Sequence, residues 1–313
     1  MLTRVIRRCG ALAVALALFG GERAGAVEPR SVSFEATDGT RIAGDYYPPP
    51  VSRHKHAPFV ILVHGCGGAR SAWEPLVPAL HDAGLAVLVP DLRGHGESAT
   101  TETRERVRNR DEELFREMQC DLRGAYDWLA KQPELDRARF ALVGAGVGAS
   151  IALQYAAKDR SVDAIVCLSP RLHDLGLDAA GDIHQVTGRK ILLLAGEADR
   201  DAPYTLRERT EGVEVHIQRD SDLRGAEMLG QSPELEKRIA KFLARGVGEA
   251  TSTVVYGTIN SNVYHLPESG WVERIAPSNL RCYSSPAEAR ARGVRPSKSK
   301  RPRQRSGGKK RHD

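Results

Sequence analysis

Short apolar runs alternate regularly with helix-like segments along this chain. The continuous apolar runs at residues 59–63 and 86–90 are typical of parallel strands that are buried on both faces. A helical spacing of apolar residues over 114–129 and a further apolar run at 140–143 continue the series. Strands that alternate with helices predict a parallel sheet with right-handed crossovers, and therefore an α/β domain.

Other segments extend this pattern in both directions along the chain. Two alternating runs separated by Asp38-Gly39 predict an N-terminal β-hairpin over residues 31–46. Residues 100–110 have no apolar face, so we expect a solvated connection there, and residues 171–188 are interpreted as a short lid. The remaining predicted strands are 162–168, 190–195 and 213–217, and the remaining predicted helices are 72–83, 150–157 and 233–243. The expected fold is a mostly parallel central sheet flanked by helices, with a small α+β C-terminal appendage.

The loops that carry reactive or glycine-rich sequences all follow predicted strands. They are residues 64–68, 91–98, 144–148 and 196–203. Because the carboxyl ends of parallel strands share one edge of the sheet, these four loops are expected to meet there, where α/β sheets bind their ligands.

These loops carry a family resemblance. His64-Gly65 after a strand, the stretch 91–98 (DLRGHGES), the strand–turn–helix at 144–148 and Gly196-Glu197-Ala198-Asp199 resemble the α/β-hydrolases. The resemblance covers residues 31–246 and is strongest to the esterase and serine-aminopeptidase-like branch. It implies a hydrolase of carboxylic esters or peptides with a nucleophile at a sharp elbow.

The resemblance also assigns roles to individual positions. The N–H groups near Cys66 and at Val147 would form the oxyanion hole. Gly144 and Gly148 would let the strand turn tightly into the helix. Asp199 stands where the family carries its catalytic acid, whose usual role is to orient a histidine.

Two of the expected catalytic groups are absent. The elbow of the family reads Gly-x-Ser-x-Gly, but Gly146 occupies the serine position and offers no hydroxyl. Arg224-Gly225 stands where a His-Gly pair is expected, and arginine stays protonated and cannot act as a general base. We therefore predict a catalytically inactive binding or scaffold protein with an unknown ligand in the hydrolase pocket, and an ion pair between Asp199 and Arg224.

An active enzyme with another nucleophile is the alternative. Cys66 lies on a pocket-side loop with His64, and His95 lies on the next such loop. Ser150 is one helical turn past Gly146, so we expect it to pack against the sheet. The thiol of Cys66 is thus the candidate nucleophile of this alternative.

The N-terminal residues 1–26 resemble a secretory signal. Basic residues precede an apolar run at 11–19 that is too short to span a bilayer, and Ala24-Gly25-Ala26 fits a cleavage site. A secreted or periplasmic protein is expected. Such a compartment permits disulfides, but the spacing of Cys66, Cys120, Cys167 and Cys282 demands no pairing.

Residues 249–300 resemble the small zinc-binding modules of Ada-like and nuclease-associated domains. His265 follows a tyrosine as in those modules, but Ser269, Ser297 and Lys300 stand where their cysteines belong. A hydroxyl is a poor zinc ligand and an ammonium group is none. The module is therefore predicted to be degenerate, with no metal, and no cofactor is expected anywhere in the chain.

Charge is distributed unevenly along the chain. Residues 27–289 carry 31 basic and 38 acidic side chains, whereas residues 290–313 carry 11 basic and one acidic side chain. With almost no apolar residue, the end of the chain from 301 to 313 is expected to be disordered. A tail of this charge fits a polyanion such as nucleic acid, anionic lipid or acidic glycan, or else it is solvated without a partner.

Overall fold

The computed structural model describes residues 27–50, 56–219, 221–248, 255–266, 269, 271–283, 289 and 292–297. The predicted signal at 1–26, the predicted disordered tail at 301–313 and Lys300 of the degenerate metal site lie outside the described residues.

An eight-stranded sheet forms the centre of the protein. Its strands are β1 (Arg30–Glu35), β2 (Arg41–Tyr47), β3 (Ala57–Val63), β4 (Ala86–Pro90), β5 (Leu135–Ala145), β6 (Val162–Leu168), β9 (Lys190–Gly196) and β10 (Val213–Gln218). The strands β7 (His173–Asp174) and β8 (Leu177–Asp178) form a separate hairpin. The order across the sheet is β1-β2-β4-β3-β5-β6-β9-β10. Only β1 with β2 and β2 with β4 pair antiparallel. The predicted N-terminal hairpin and parallel centre are therefore both present.

Helices cover both faces of this sheet. They are α1 (Val77–Asp82), α2 (Thr101–Arg108), α3 (Glu112–Leu129), α4 (Val147–Lys158), the short α5 (Ala179–Asp182), α6 (Asp201–Arg207) and α7 (Pro233–Gly246). Ile61 of β3 packs in the core layer of α3 and α4, and its neighbours Val60 and Leu62 pack in the layer of α1 and α7. This burial on both faces explains why the strand reads as an unbroken apolar run.

The polar segment 100–110 is helical, so the predicted solvated connection is wrong there. Thr100 and Thr103 form a reciprocal capping box at the start of α2. Arg106 pairs with Asp111 at its far end, with 2.6 Å between Nε and Oδ2. None of the residues of α2 is fully buried. Caps and ion pairs stabilise this helix, and a search for apolar periodicity does not detect them.

Two further predicted boundaries also differ from the structure. The predicted helix 72–83 is a short 3-10 helix, Arg70–Trp73, followed by α1, with Pro78 in the first turn of α1. The predicted helix at 150–157 begins three residues earlier, at Val147, directly after the elbow.

The segment interpreted as a lid is packed into the domain. It forms a hairpin of β7 (His173–Asp174) and β8 (Leu177–Asp178), followed by α5 (Ala179–Asp182). Ala179, Ala180 and Ile183 are buried in the same core layer as α3 and α4. The segment is therefore a packed part of the domain.

A second, four-stranded sheet follows the hydrolase-like domain. Its strands are β11 (Val255–Thr258), β12 (Val263–His265), β13 (Leu280–Tyr283) and β14 (Arg295–Pro296), in the order β13-β11-β12-β14. The Tyr256 hydroxyl donates to Asp136 Oδ1 at 3.0 Å, which ties this sheet to the larger domain. The small appendage is therefore present.

None of the helices in the described part of the chain combines the length and apolar composition that a bilayer span requires.

Candidate functional site

A sharp turn at Gly146 joins β5 to α4. Its backbone angles are φ 56° and ψ −122°, a conformation that residues other than glycine adopt only with strain. A Cβ at Gly148 would lie 2.2 Å from the Val63 carbonyl oxygen, and a Cβ at Gly144 would lie 2.3 Å from the Gly148 carbonyl oxygen. A Cβ at Gly146 would meet no heavy atom within 4 Å beyond its chain neighbours. The two flanking glycines are required by close packing, whereas the space at position 146 would admit a side chain.

The backbone around this turn is held in place. The Gly146 N–H donates to the Leu168 carbonyl oxygen at 2.9 Å. Val147 is the first residue of α4, so the helix supplies no acceptor for its N–H. The N–H predicted for one half of the oxyanion hole thus lies at a helix N-terminus, where the helix dipole favours negative charge.

Asp199 and Arg224 are brought together beside the elbow. Asp199 ends a 3-10 turn that follows β9, and Arg224 immediately precedes the 3-10 helix Gly225–Met228. The Arg224 Nε lies 2.9 Å from Asp199 Oδ2, which confirms the predicted ion pair. A Cβ at Gly225 would lie 3.8 Å from the Gly146 nitrogen, so this turn is adjacent to the nucleophile position.

Ser169 is a residue of this site that the sequence reasoning missed. It is buried, and its φ of 47° is unusual for a residue other than glycine. Its hydroxyl oxygen accepts from the Gly225 N–H at 2.8 Å, and its own N–H donates to the Leu194 carbonyl oxygen at 2.6 Å. Ser169 therefore fixes the Arg224–Gly225 turn against the sheet. The only signal in the sequence is its position directly after a strand.

The two pocket-side histidines serve the loops that carry them. His64 Nε2 accepts from the Leu92 N–H at 3.0 Å, and His95 Nε2 accepts from the Gly67 N–H at 3.1 Å. An N–H can only donate, so both Nε2 atoms are unprotonated. Burial and the neighbouring His95 lower the pKa of His64 to about 4, and burial lowers the pKa of His95. Both rings are therefore neutral and have their lone pairs occupied.

The Cys66 thiol is exposed but is not activated by its surroundings. Desolvation raises its pKa, and the Asp174 carboxylate adds to this, while Arg110 acts in the opposite direction. Thiolate, not thiol, is the attacking form of cysteine. Ser150 is fully buried in α4, as expected.

The loop 91–98 is a structural element. Arg93 is buried, and its Nη2 lies 2.7 Å from Asp121 Oδ1 and 2.7 Å from Asp38 Oδ2. Asp91 accepts from the Glu97 N–H at 3.0 Å and lies 3.0 Å from the Arg70 Nε. These contacts fix the shape of the loop.

The positions predicted to be degenerate metal ligands, His265, Ser269 and Ser297, take part in backbone contacts in and beside the small sheet. The Ser297 N–H donates to the Tyr264 carbonyl oxygen at 2.8 Å, and the Ser269 N–H donates to the Leu266 carbonyl oxygen at 2.9 Å. The His265 ring stacks on Trp271 with centroids 6.2 Å apart. Among the residues that the structure describes, no three His, Cys, Asp or Glu side chains group closely enough to hold a metal ion.

Comparison with known proteins agrees with this geometry. The family model described as the alpha/beta hydrolase fold matches residues 58–253. The uncharacterised protein Rv2307c of Mycobacterium tuberculosis is 31% identical over 197 residues, which cover 58% of this chain and 65% of that protein. Epoxide hydrolase A of the same organism is 50% identical over only 46 residues, covering 15% of this chain and 14% of that protein. The chain thus matches just under two thirds of the length of the mycobacterial uncharacterised relative.

Solved structures show the same fold at low sequence identity. The esterase Pf2001 of Pyrococcus furiosus superposes with a TM-score of 0.57 at 18% identity, covering 71% of this chain and 92% of the esterase. Dienelactone hydrolase of Anabaena variabilis superposes with a TM-score of 0.53 at 21% identity, covering 70% of this chain and 97% of that enzyme. On the strength of the family match and the strand–elbow–helix geometry, the chain belongs to the α/β-hydrolase fold family.

Proposed function

We propose that this protein is a non-catalytic member of its family that binds a ligand or partner on the hydrolase scaffold. The observation that carries the proposal is the pair of substitutions at one place: Gly146 at the elbow and Arg224 on Asp199. Acyl transfer in this fold needs an attacking atom and a base that removes its proton. The first position has no side chain, and the second carries a group that cannot accept a proton.

The ion pair also gives Asp199 a structural role. Without a histidine to orient, the Asp199 carboxylate would otherwise be left half-buried and unpaired beside the sheet edge. The Arg224 guanidinium satisfies it at 2.9 Å. This role does not depend on catalysis, because the contact is a static ion pair.

An active enzyme that uses Cys66 is the competing hypothesis. It needs a base within hydrogen-bond reach of the thiol. His64 and His95 both use their unprotonated nitrogens to accept backbone N–H groups. The raised pKa of the Cys66 thiol also disfavours this hypothesis, because it lowers the thiolate fraction at neutral pH. These contacts favour the non-catalytic proposal.

The composition of residues 1–26 and 290–313 supports a proposed place of action. The signal-like residues 1–26 support export, to the periplasm or outside the cell. The basic residues 290–313 support electrostatic attraction to a polyanion, in which the tail brings the scaffold to a charged surface.

Labelling with a fluorophosphonate tests the proposal. The purified wild-type protein is expected to take up no probe at any serine. A thiol-directed acyl probe is expected to react with Cys66 no faster than with a free cysteine. Stoichiometric labelling of the wild type at one residue, abolished by heat denaturation, would overturn the proposal.

A further inference from the structure

A wide cleft lies at the junction between the hydrolase domain and the C-terminal sheet. Its volume is about 1260 Å³. The middle of α3 and the C-terminal end of α4 line one side, and residues 259–262, β13 and residues 292–294 line the other. None of its lining residues belongs to the elbow or to the Asp199–Arg224 pair. The cleft is therefore a separate feature of the molecule.

Positive charge dominates the lining of this cleft. Among the described residues that line it, the basic side chains are Arg123, Lys158, Arg160, Arg281 and Arg292, and the acidic side chain is Asp159. Asp159 already has two partners. Its Oδ2 lies 3.0 Å from the Arg123 Nη1 and accepts a hydrogen bond from the Tyr155 hydroxyl at 2.9 Å. Within the described residues, neither Arg160 nor Arg281 lies within 4.0 Å of a carboxylate, and both are exposed. The cleft therefore presents a surplus of positive charge to solvent.

The charges of two cleft arginines also act on a buried arginine outside the lining, Arg189. Arg189 follows the hairpin segment and donates to the Ala156 carbonyl oxygen at the end of α4. Burial lowers the pKa of Arg189, and the charges of Arg160 and Arg292 lower it further, while the Asp159 and Asp163 carboxylates act in the opposite direction. Arg160 and Arg292 both line the cleft, so an anion bound there would be attracted by cations from two separate parts of the chain.

The chemistry of the lining favours phosphate. Most of its cations are arginines, whose planar fork of N–H donors matches the oxygens of a phosphate group. Exposed Asn260, Asn262 and Ser278 add neutral donors along the same wall. We propose that this cleft binds a small ligand that carries several phosphate groups. The proposal does not depend on the loss of catalysis at the elbow. It places the ligand on residues of the hydrolase domain and the C-terminal sheet, and not on the basic residues 298–313.

Calorimetric titration of the full chain with tripolyphosphate tests this site. Replacing two exposed cations of the cleft, in the variant Arg160→Gln with Arg281→Gln, should raise the Kd at least about tenfold, because each contact is a charge-assisted hydrogen bond. The matched control is Arg104→Gln with Arg108→Gln, which removes the same charge from the exposed face of α2. That control is expected to leave the Kd within about twofold.

A second variant separates the cleft from the tail. Replacing the eight Lys and Arg residues of 298–313 by Ser in the full chain should leave tripolyphosphate binding in place. Equal losses in the cleft and α2 variants, or loss of binding only in the tail variant, would overturn the proposal. Binding of a single-stranded oligonucleotide without binding of tripolyphosphate would also overturn it. Equal thermal midpoints verify folding, and Lys158→Gln serves as the substitute variant if the double variant is unstable.

Discussion

The Arg224 guanidinium lies against the Asp199 carboxylate, with 2.9 Å between Nε and Oδ2, beside a turn that has no side chain at its tip. In an active member of the fold, the same carboxylate would orient a histidine. Here it pairs with a permanent cation. In the proposed non-catalytic function, this static contact takes the place of proton transfer.

Removing this ion pair should have a small, measurable effect on stability. The two side chains are 28% and 55% exposed, so Asp199→Asn should lower the free energy of unfolding by about 0.5–1 kcal/mol. Urea unfolding of Asp199→Asn, Arg224→Gln and the double variant gives the coupling energy. The matched control is Glu197→Gln, which removes a more exposed pair with Arg200. A coupling energy of zero between Asp199 and Arg224 would contradict the account.

The glycines of the elbow should differ sharply in their tolerance of a methyl group. Gly148→Ala places a Cβ 2.2 Å from the Val63 carbonyl oxygen and should lower the free energy of unfolding by at least about 3 kcal/mol. Gly146→Ala meets open space and should lose only about 1–2 kcal/mol, from backbone strain at φ 56°. Thermal and urea unfolding of the two variants provide the comparison. Equal losses would show that close packing does not distinguish these positions.

Much of the fold could be predicted because its signals are local. Unbroken apolar runs mark β3 and β4, and the loops after the strands meet at one edge, which places Gly146, Asp199 and Arg224 together. Helix α2 was missed because caps and ion pairs stabilise it and no residue of it is fully buried.

Other parts of the structure arise from contacts that no local pattern encodes. Ser169 looks like any serine at a strand end until its hydroxyl is seen to accept from the Gly225 N–H. The cationic cleft joins Arg123, Arg160 and Arg281, which are distant along the chain. Their proximity depends on how the C-terminal sheet packs against α3 and α4.

Stability should fall in mild acid because of His64. Its pKa is about 4 in the folded protein and 6.5 when unperturbed, so the unfolded chain binds the extra proton between these values. Stability therefore rises with pH from about 4 to 6.5 and is lost as the pH falls through this window, by about 3 kcal/mol in total. The pH dependence of urea unfolding should be shallower in His64→Gln and unchanged in the exposed control His184→Gln. Parallel curves for wild type and His64→Gln would contradict this assignment.

Restoring both missing groups should restore reactivity toward a fluorophosphonate. In the variant Gly146→Ser with Arg224→His, the serine side chain enters open space and Asp199 regains an imidazole to orient. Labelling is expected at residue 146. The control, Gly146→Ser with Arg224→Gln, has the hydroxyl but no base and should label at least about 100-fold more slowly. Equal labelling of the two variants would show that position 224 does not lie where a base can act.

Steady-state hydrolysis of p-nitrophenyl butyrate by the wild-type protein tests the central claim, the absence of a catalytic nucleophile. Release of p-nitrophenol is expected to be no faster than with heat-denatured protein, and Cys66→Ala is expected to give the same rate. Saturable turnover that co-purifies with the wild-type chain, and that Cys66→Ala or another single substitution abolishes, would contradict it.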